Sequence, residues 1–159
     1  MTIPRPTAFA LATALALLGC DALPEPGGPT VEAPAPPPPA DPLEARLREL
    51  GRERAAFMVL DEAALRGVGV QGDVRDYSHV MHPGWCYKVL GLGGEGVVDL
   101  DLRVYDPNDV LLQRDTTRDA EPQIGQMRPI CPGVSGTYRI QVRLVEGGGP
   151  FVVQVYRSI

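Results

Sequence analysis

The chain is poor in the residues from which most active sites are built. It has two histidines, three cysteines and one tryptophan, and Lys88 is its only lysine. Ser78, Ser135 and Ser158 lie in no G-x-S-x-G elbow, and neither His79 nor His82 is accompanied by an evident orienting carboxylate, so no nucleophile-base relay is legible. Phosphate-loop and dinucleotide fingerprints are absent. The acids fall in turns and on strand surfaces rather than in an obvious cleft, which gives no glycosidase-like carboxylate pair. Nothing has C-x₂-C or H-x₃-H spacing, and His79 and His82, an odd number apart, would point to opposite faces of a strand. The sequence therefore nominates no catalytic residue, no metal ligand and no cofactor. The formal net charge of -5, one unit more negative without Arg5, argues against a nucleic-acid partner. Apart from Lys88 the basic side chains are arginine, through genomic base composition or through a preference for carboxylate and phosphate partners.

One apolar run stands out, and it is too short to span a bilayer. Arg5 supplies a positive start, Ala8 to Leu18 an apolar centre, and Gly19 a small residue before a cut, which are the three parts of a secretory signal. Leu17-Leu18-Gly19-Cys20 resembles the lipobox of bacterial lipoproteins. That resemblance implies lipidation of Cys20 as the new N-terminus, and anchoring to a membrane of the bacterial cell envelope on its extracytoplasmic side. Several acyl chains would hold firmly, since each buried CH₂ contributes about 0.8 kcal/mol. Cys86 and Cys131 then remain as a pair outside the reducing cytosol, and a disulfide is the economical reading. It would close a loop of about 45 residues, stabilising by roughly 4 kcal/mol in the chain-entropy model.

The organisation reads as residues 1–19 signal, 20–42 lipidated cysteine and Pro/Ala-rich linker, 43–64 amphipathic helical segment, and 65–159 β-domain. The linker lacks large apolar residues, so it is expected to be disordered and rich in polyproline II. Asp41-Pro42-Leu43-Glu44 is a helix start, with an Asp N-cap, Pro at the first position and Glu in a capping-box arrangement. Leu43, Leu47 and Leu50 share one face, Glu44 and Arg48 form an i,i+4 pair, and the pattern continues past Gly51 towards Phe57 or Met58.

From about Leu65 the period changes to two. Val98, Leu100, Leu102 and Val104 alternate with Asp99, Asp101, Arg103 and Tyr105, and Tyr138, Ile140, Val142 and Leu144 alternate with Arg139, Gln141 and Arg143. Further strands are expected over 67–70, 74–81, 86–92, 110–115, 123–131 and 151–156, separated by Gly- and Pro-rich turns. The fold class is all-β: an antiparallel, jelly-roll-like sandwich of about eight strands, preceded by one short helix.

Asp99 to Pro107, Gly136 to Val142 and Gly149 to Val153 resemble the bacterial pre-peptidase C-terminal domain, with its D-L-D-L-x-L-Y-D-P-x-G, G-x-Y-x-[IL]-x-V and G-x-[YF]-x-[LV] motifs. The resemblance spans about 67–157. Asp109 stands where that family often has the turn glycine, and Phe151 replaces the usual tyrosine. The resemblance implies a jelly-roll sandwich whose relatives bind collagen or carbohydrate. Asp99 and Asp101 are expected on the solvated face. Tyr105 and Tyr156 take the outward register and, with Arg139 and Arg143, form a candidate ligand-binding surface, while Trp85 is expected over the disulfide. Two functions follow: a tethered, non-catalytic binding or adhesion module for an envelope polysaccharide or protein, or an accessory lipoprotein docking into an envelope complex through its helix.

Overall fold

The computed structural model describes residues 41–159. Cys20, the signal and the Pro/Ala-rich linker lie outside them. Helix α1 (Pro42–Arg54) starts where the sequence places it: Asp41 is the N-cap, and its carboxylate accepts the Glu44 N–H at 2.7 Å. The capping box is only half made, because the Glu44 carboxylate turns to Arg48, at 2.8 Å, and to Arg66. The helix ends at Arg54, short of the expected extension. Phe57 adopts φ 63°, which turns the chain directly into a strand.

Nine strands follow: β1 (Met58–Leu60), β2 (Leu65–Gly69), β3 (Val74–Met81), β4 (Tyr87–Gly93), β5 (Val97–Tyr105), β6 (Leu111–Asp115), β7 (Gln123–Ile124), β8 (Gly136–Gly147) and β9 (Gly149–Ser158). They form an antiparallel sandwich. In one sheet β9 has β1 and β2 on one side and β4 then β7 on the other; the second sheet has the order β3-β8-β5-β6. The stretch 123–131 is not one strand: β7 is two residues long, and Ile130 returns as an isolated bridge to Tyr87.

Two cores result. Between the sheets lie Leu100, Leu102, Val104, Ile140, Val142, Phe151 and Val153, among others. On the outer side of the first sheet, Leu47 and its neighbours Leu43 and Leu50 seat α1 against Leu90, Leu92, Val152 and Tyr156. That sheet is thus covered on both faces, and β9 is buried from Phe151 to Tyr156 without alternation. Chain reversal between the central strands β8 and β9 uses Gly147 and Gly149, at φ 79° and 155°. A side chain on either would overlap the carbonyl of Gly96 or Glu95, so the close approach of the two glycine loops requires them.

Gly51 has a comparable role in α1. A Cβ there would overlap the hydroxyl and ring of Tyr156, whose hydroxyl donates to Gln154 Oε1 at 2.6 Å. In a free helix Gly→Ala gains about 1 kcal/mol. Here Gly51→Ala is expected to lose about 1–3 kcal/mol, through forced displacement of a buried ring. Urea denaturation of the variant decides the sign, and a stabilised variant would contradict this packing.

Candidate binding face

The outer face of the second sheet is built by alternation on its two central strands. The β5–β8 register sets Asp101 opposite Arg143, Arg103 opposite Gln141 and Tyr105 opposite Arg139, while β3 adds Asp76 beside Gln141 and Ser78 beside Arg139. Directly opposed residues share a face.

At the Tyr105 end the groups satisfy one another. The Arg139 guanidinium lies 3.8 Å above the Tyr105 ring, donates to Asp109 Oδ1 at 2.9 and 3.0 Å, and reaches Asp76 Oδ1 at 3.3 Å. Its hydrogen bonds to Asp109 and Asp76 hold it in the charged form. Gln141 donates to Asp76 at 3.0 Å and accepts from the Tyr105 hydroxyl at 3.4 Å. Within the 106–109 turn Asp109 takes the left-handed conformation, at φ 61°. The residue that makes the turn is thus also the one that fixes Arg139. The turn itself is held by Asp106, whose carboxylate accepts the N–H groups of Asn108 and Val110 at 2.8 Å; these bonds lower its pKa.

The other end is differently arranged. Bulges between Val97 and Leu100 shift the phase of β5, so Val97 enters the core and Val98, expected there, is 55 % exposed. Asp99 and Asp101 are not solvated: they are 7 % and 8 % exposed. Burial first, and then the neighbouring Asp99, raises the pKa of Asp101, against the opposing pull of Arg103 and Arg143. Asp99 Oδ1 and Arg103 Nε are buried without a hydrogen-bond partner. Among the described residues no hydrogen bond or ion pair engages Arg114 or Arg143, and Arg114 stands opposite Arg103 on β6. Arg103, Arg114 and Arg143 therefore share this half of the face with the buried Asp99 and Asp101, and Arg103 keeps its free Nε inside.

Tyr156 does not belong to the surface. It sits on the other sheet, 6 % exposed beneath α1, because covering both faces of that sheet turns its outward register into a second interior. Burial raises its pKa, with Arg48 and Arg52 acting the other way. Arg157 stacks on the Trp85 ring at 4.2 Å and His82 meets its edge. The Cys86–Cys131 disulfide is formed.

A carboxylate does accompany one histidine, which sequence spacing concealed. His79, inside the sandwich, is 3.0 Å through Nε2 from Asp61 Oδ2, and Nδ1 lies 3.4 Å from Glu62. The other Asp61 oxygen accepts from Arg157 at 2.6 Å. His82 lies 3.1 Å from Ser135 Oγ. The hydroxyl and the carboxylate thus serve different histidines, which is not the single relay that acyl transfer uses. The acids of the 115–121 loop are likewise engaged: Asp115 binds Thr117 and Gln123, and Glu121 pairs with Arg46 and Arg54 of α1.

A cavity of about 660 Å³ opens beside the first turn of α1 between Leu43, Val68 and Pro150. Its arginines are already paired, Arg66 with Asp41 and Glu44, and Arg46 with Glu121. Among the described residues no helix is long and apolar enough to cross a membrane.

Fold and site together define a small, disulfide-linked β-sandwich capped by one helix, with one sheet face left open by the described residues. No family model and no curated protein matches the chain. Among solved structures it is similar to PliG of Aeromonas hydrophila, a periplasmic lysozyme inhibitor of g-type lysozyme, at 21 % identity and a TM-score of 0.43, over 60 % of this chain and 85 % of that one.

Proposed function

We propose that the chain is a lipid-anchored protein of the bacterial cell envelope that displays a non-catalytic binding module, and that the open sheet face takes an anionic envelope polymer. The lipobox at Leu17 to Cys20 supports the anchoring, and the motifs over 99–153 support a module of the pre-peptidase C-terminal kind. The observation that carries the ligand class is the pair of guanidiniums, Arg114 and Arg143, that no hydrogen bond or ion pair engages among the described residues, on a face whose other end is internally satisfied. Guanidinium forks match carboxylate and phosphate geometry, and neutral sugar rings would instead need an open aromatic face, whereas Arg139 covers that of Tyr105. Docking through α1 is the less favoured reading, because its leucine stripe is already seated on the first sheet.

Binding of the full chain to immobilised polygalacturonate, a carboxylated polysaccharide, tests this. Arg114→Ala with Arg143→Ala is expected to weaken retention by about tenfold or more, given roughly 1.5–3 kcal/mol for each charge-assisted hydrogen bond. Added salt should weaken the parent protein in the same direction. Retention that ignores both changes would remove the arginine face from consideration.

A further inference from the structure

Strand β3 is an open edge. All eight of its residues pair with β8, from Val74 opposite Arg143 to Met81 opposite Gly136, and no described residue pairs along its other side. The phase of the ladder tells which backbone groups are free. Leu144 N–H donates to Asp73 O at 3.0 Å, and on the far side of the sheet Leu100 N–H donates to Asp119 O at 3.0 Å. Alternation from both points turns Arg75, Tyr77, His79 and Met81 towards β8 and leaves the N–H and C=O groups of Val74, Asp76, Ser78 and Val80 directed outwards. Such a row is a template for another strand, and no proline or bulge interrupts it.

We propose that a second copy of this chain occupies the edge, with the two β3 strands antiparallel about a two-fold axis at Tyr77. The pattern is self-complementary in that register. Val74 faces Val80 of the second copy, and these valines are 42 % and 45 % exposed in one copy alone. Asp76 faces Ser78. Arg75 comes opposite His79, beside Glu62, an exposed carboxylate near that ring with no arginine or lysine partner among the described residues. Moving the axis to Asp76 would set two aspartates face to face, and moving it to Ser78 would set Val80 against Asp76. Edge pairing of this length buries less than a standard interface. Confinement of both copies to one membrane, as proposed above, would supply effective concentration without further contact. The pairing does not depend on the anionic ligand, and it would join two open faces into one continuous sheet.

The test uses two variants of the full chain, Asp76→Cys and Ser78→Cys, oxidised separately and mixed. Directly opposed residues across this axis are about 5.5 Å apart, within disulfide reach, whereas like residues are displaced to about 7–8 Å. A 76–78 bridge between copies, mapped by mass spectrometry and confined to the mixture, is the expected result. Its absence, a bridge as strong in either variant alone, or a bridge to a different protein in intact cells overturns the proposal. Ser78→Pro should abolish association of the full chain in sedimentation while leaving its melting temperature nearly unchanged, since the removed N–H faces the open edge. The cysteine result stands independently of that variant's folding, and the polygalacturonate measurement is read separately from both.

Discussion

Replacing Cys86 and Cys131 together by alanine is expected to cost about 4 kcal/mol of stability, from the loop-closure entropy restored to the unfolded chain. The bridge spans 45 residues, which include β4 to β7 and therefore strands of both sheets. Beside it Tyr87, the first residue of β4, and Ile130, which lies in no strand, exchange backbone hydrogen bonds at 2.7 and 2.9 Å. Loss of the crosslink should free the 125–135 segment first, because β7 offers only two paired residues to hold it. A fall in melting temperature on the order of 15 °C is expected for a domain of this size, with a similar fall for the parent under reduction. Calorimetry with and without reductant measures it, and superimposable transitions would show that the bridge contributes nothing.

The second large effect is expected at Asp61. Its two oxygens accept from different sheets, one near His79 on β3 and one from Arg157 on β9, so one carboxylate ties the layers together at their edge. Asp61→Ala would leave the buried imidazole and the guanidinium without that acceptor. The expected loss is about 3 kcal/mol, the cost of stranding polar groups rather than the value of an attraction. A double-mutant cycle isolates this: with His79→Leu already present, Asp61→Ala should cost distinctly less. Additive losses by urea denaturation would mean that the two side chains do not act as a pair.

What could be read beforehand divides along physical lines. Local chemistry was legible: Asp41-Pro42 marks the helix start, β3 is found at its expected bounds, and Asp106-Pro107-Asn108-Asp109 makes its turn. The long central strands were legible too, because each keeps one apolar face over several residues. Non-local facts were not. Strand β1 has three residues and exists only because β9, a hundred residues on, offers it an edge. The phase of β5 at Val98 is set by a bulge, which changes which valine enters the core and leaves no mark in the alternation. Tyr156 and Tyr105 carry the same pattern in sequence, yet α1 covers one of their sheets and leaves the other open. The same blindness hid Asp61 from His79: eighteen residues of chain separate a pair that only sheet packing joins.

Helix α1 also sets the path that a mechanical load would follow. At the start of the helix the N-cap Asp41 and Glu44 both pair with Arg66 of β2. A pull on that end would be met by these ion pairs and by the seat of Leu43 and Leu47 before it reached any strand between the sheets. The helix would peel from the outer core while the crosslinked sandwich kept its shape. A domain held by its N-terminal side would thus have a yielding element in series with a stiff one, and its open face would remain intact under tension that had already drawn the helix away.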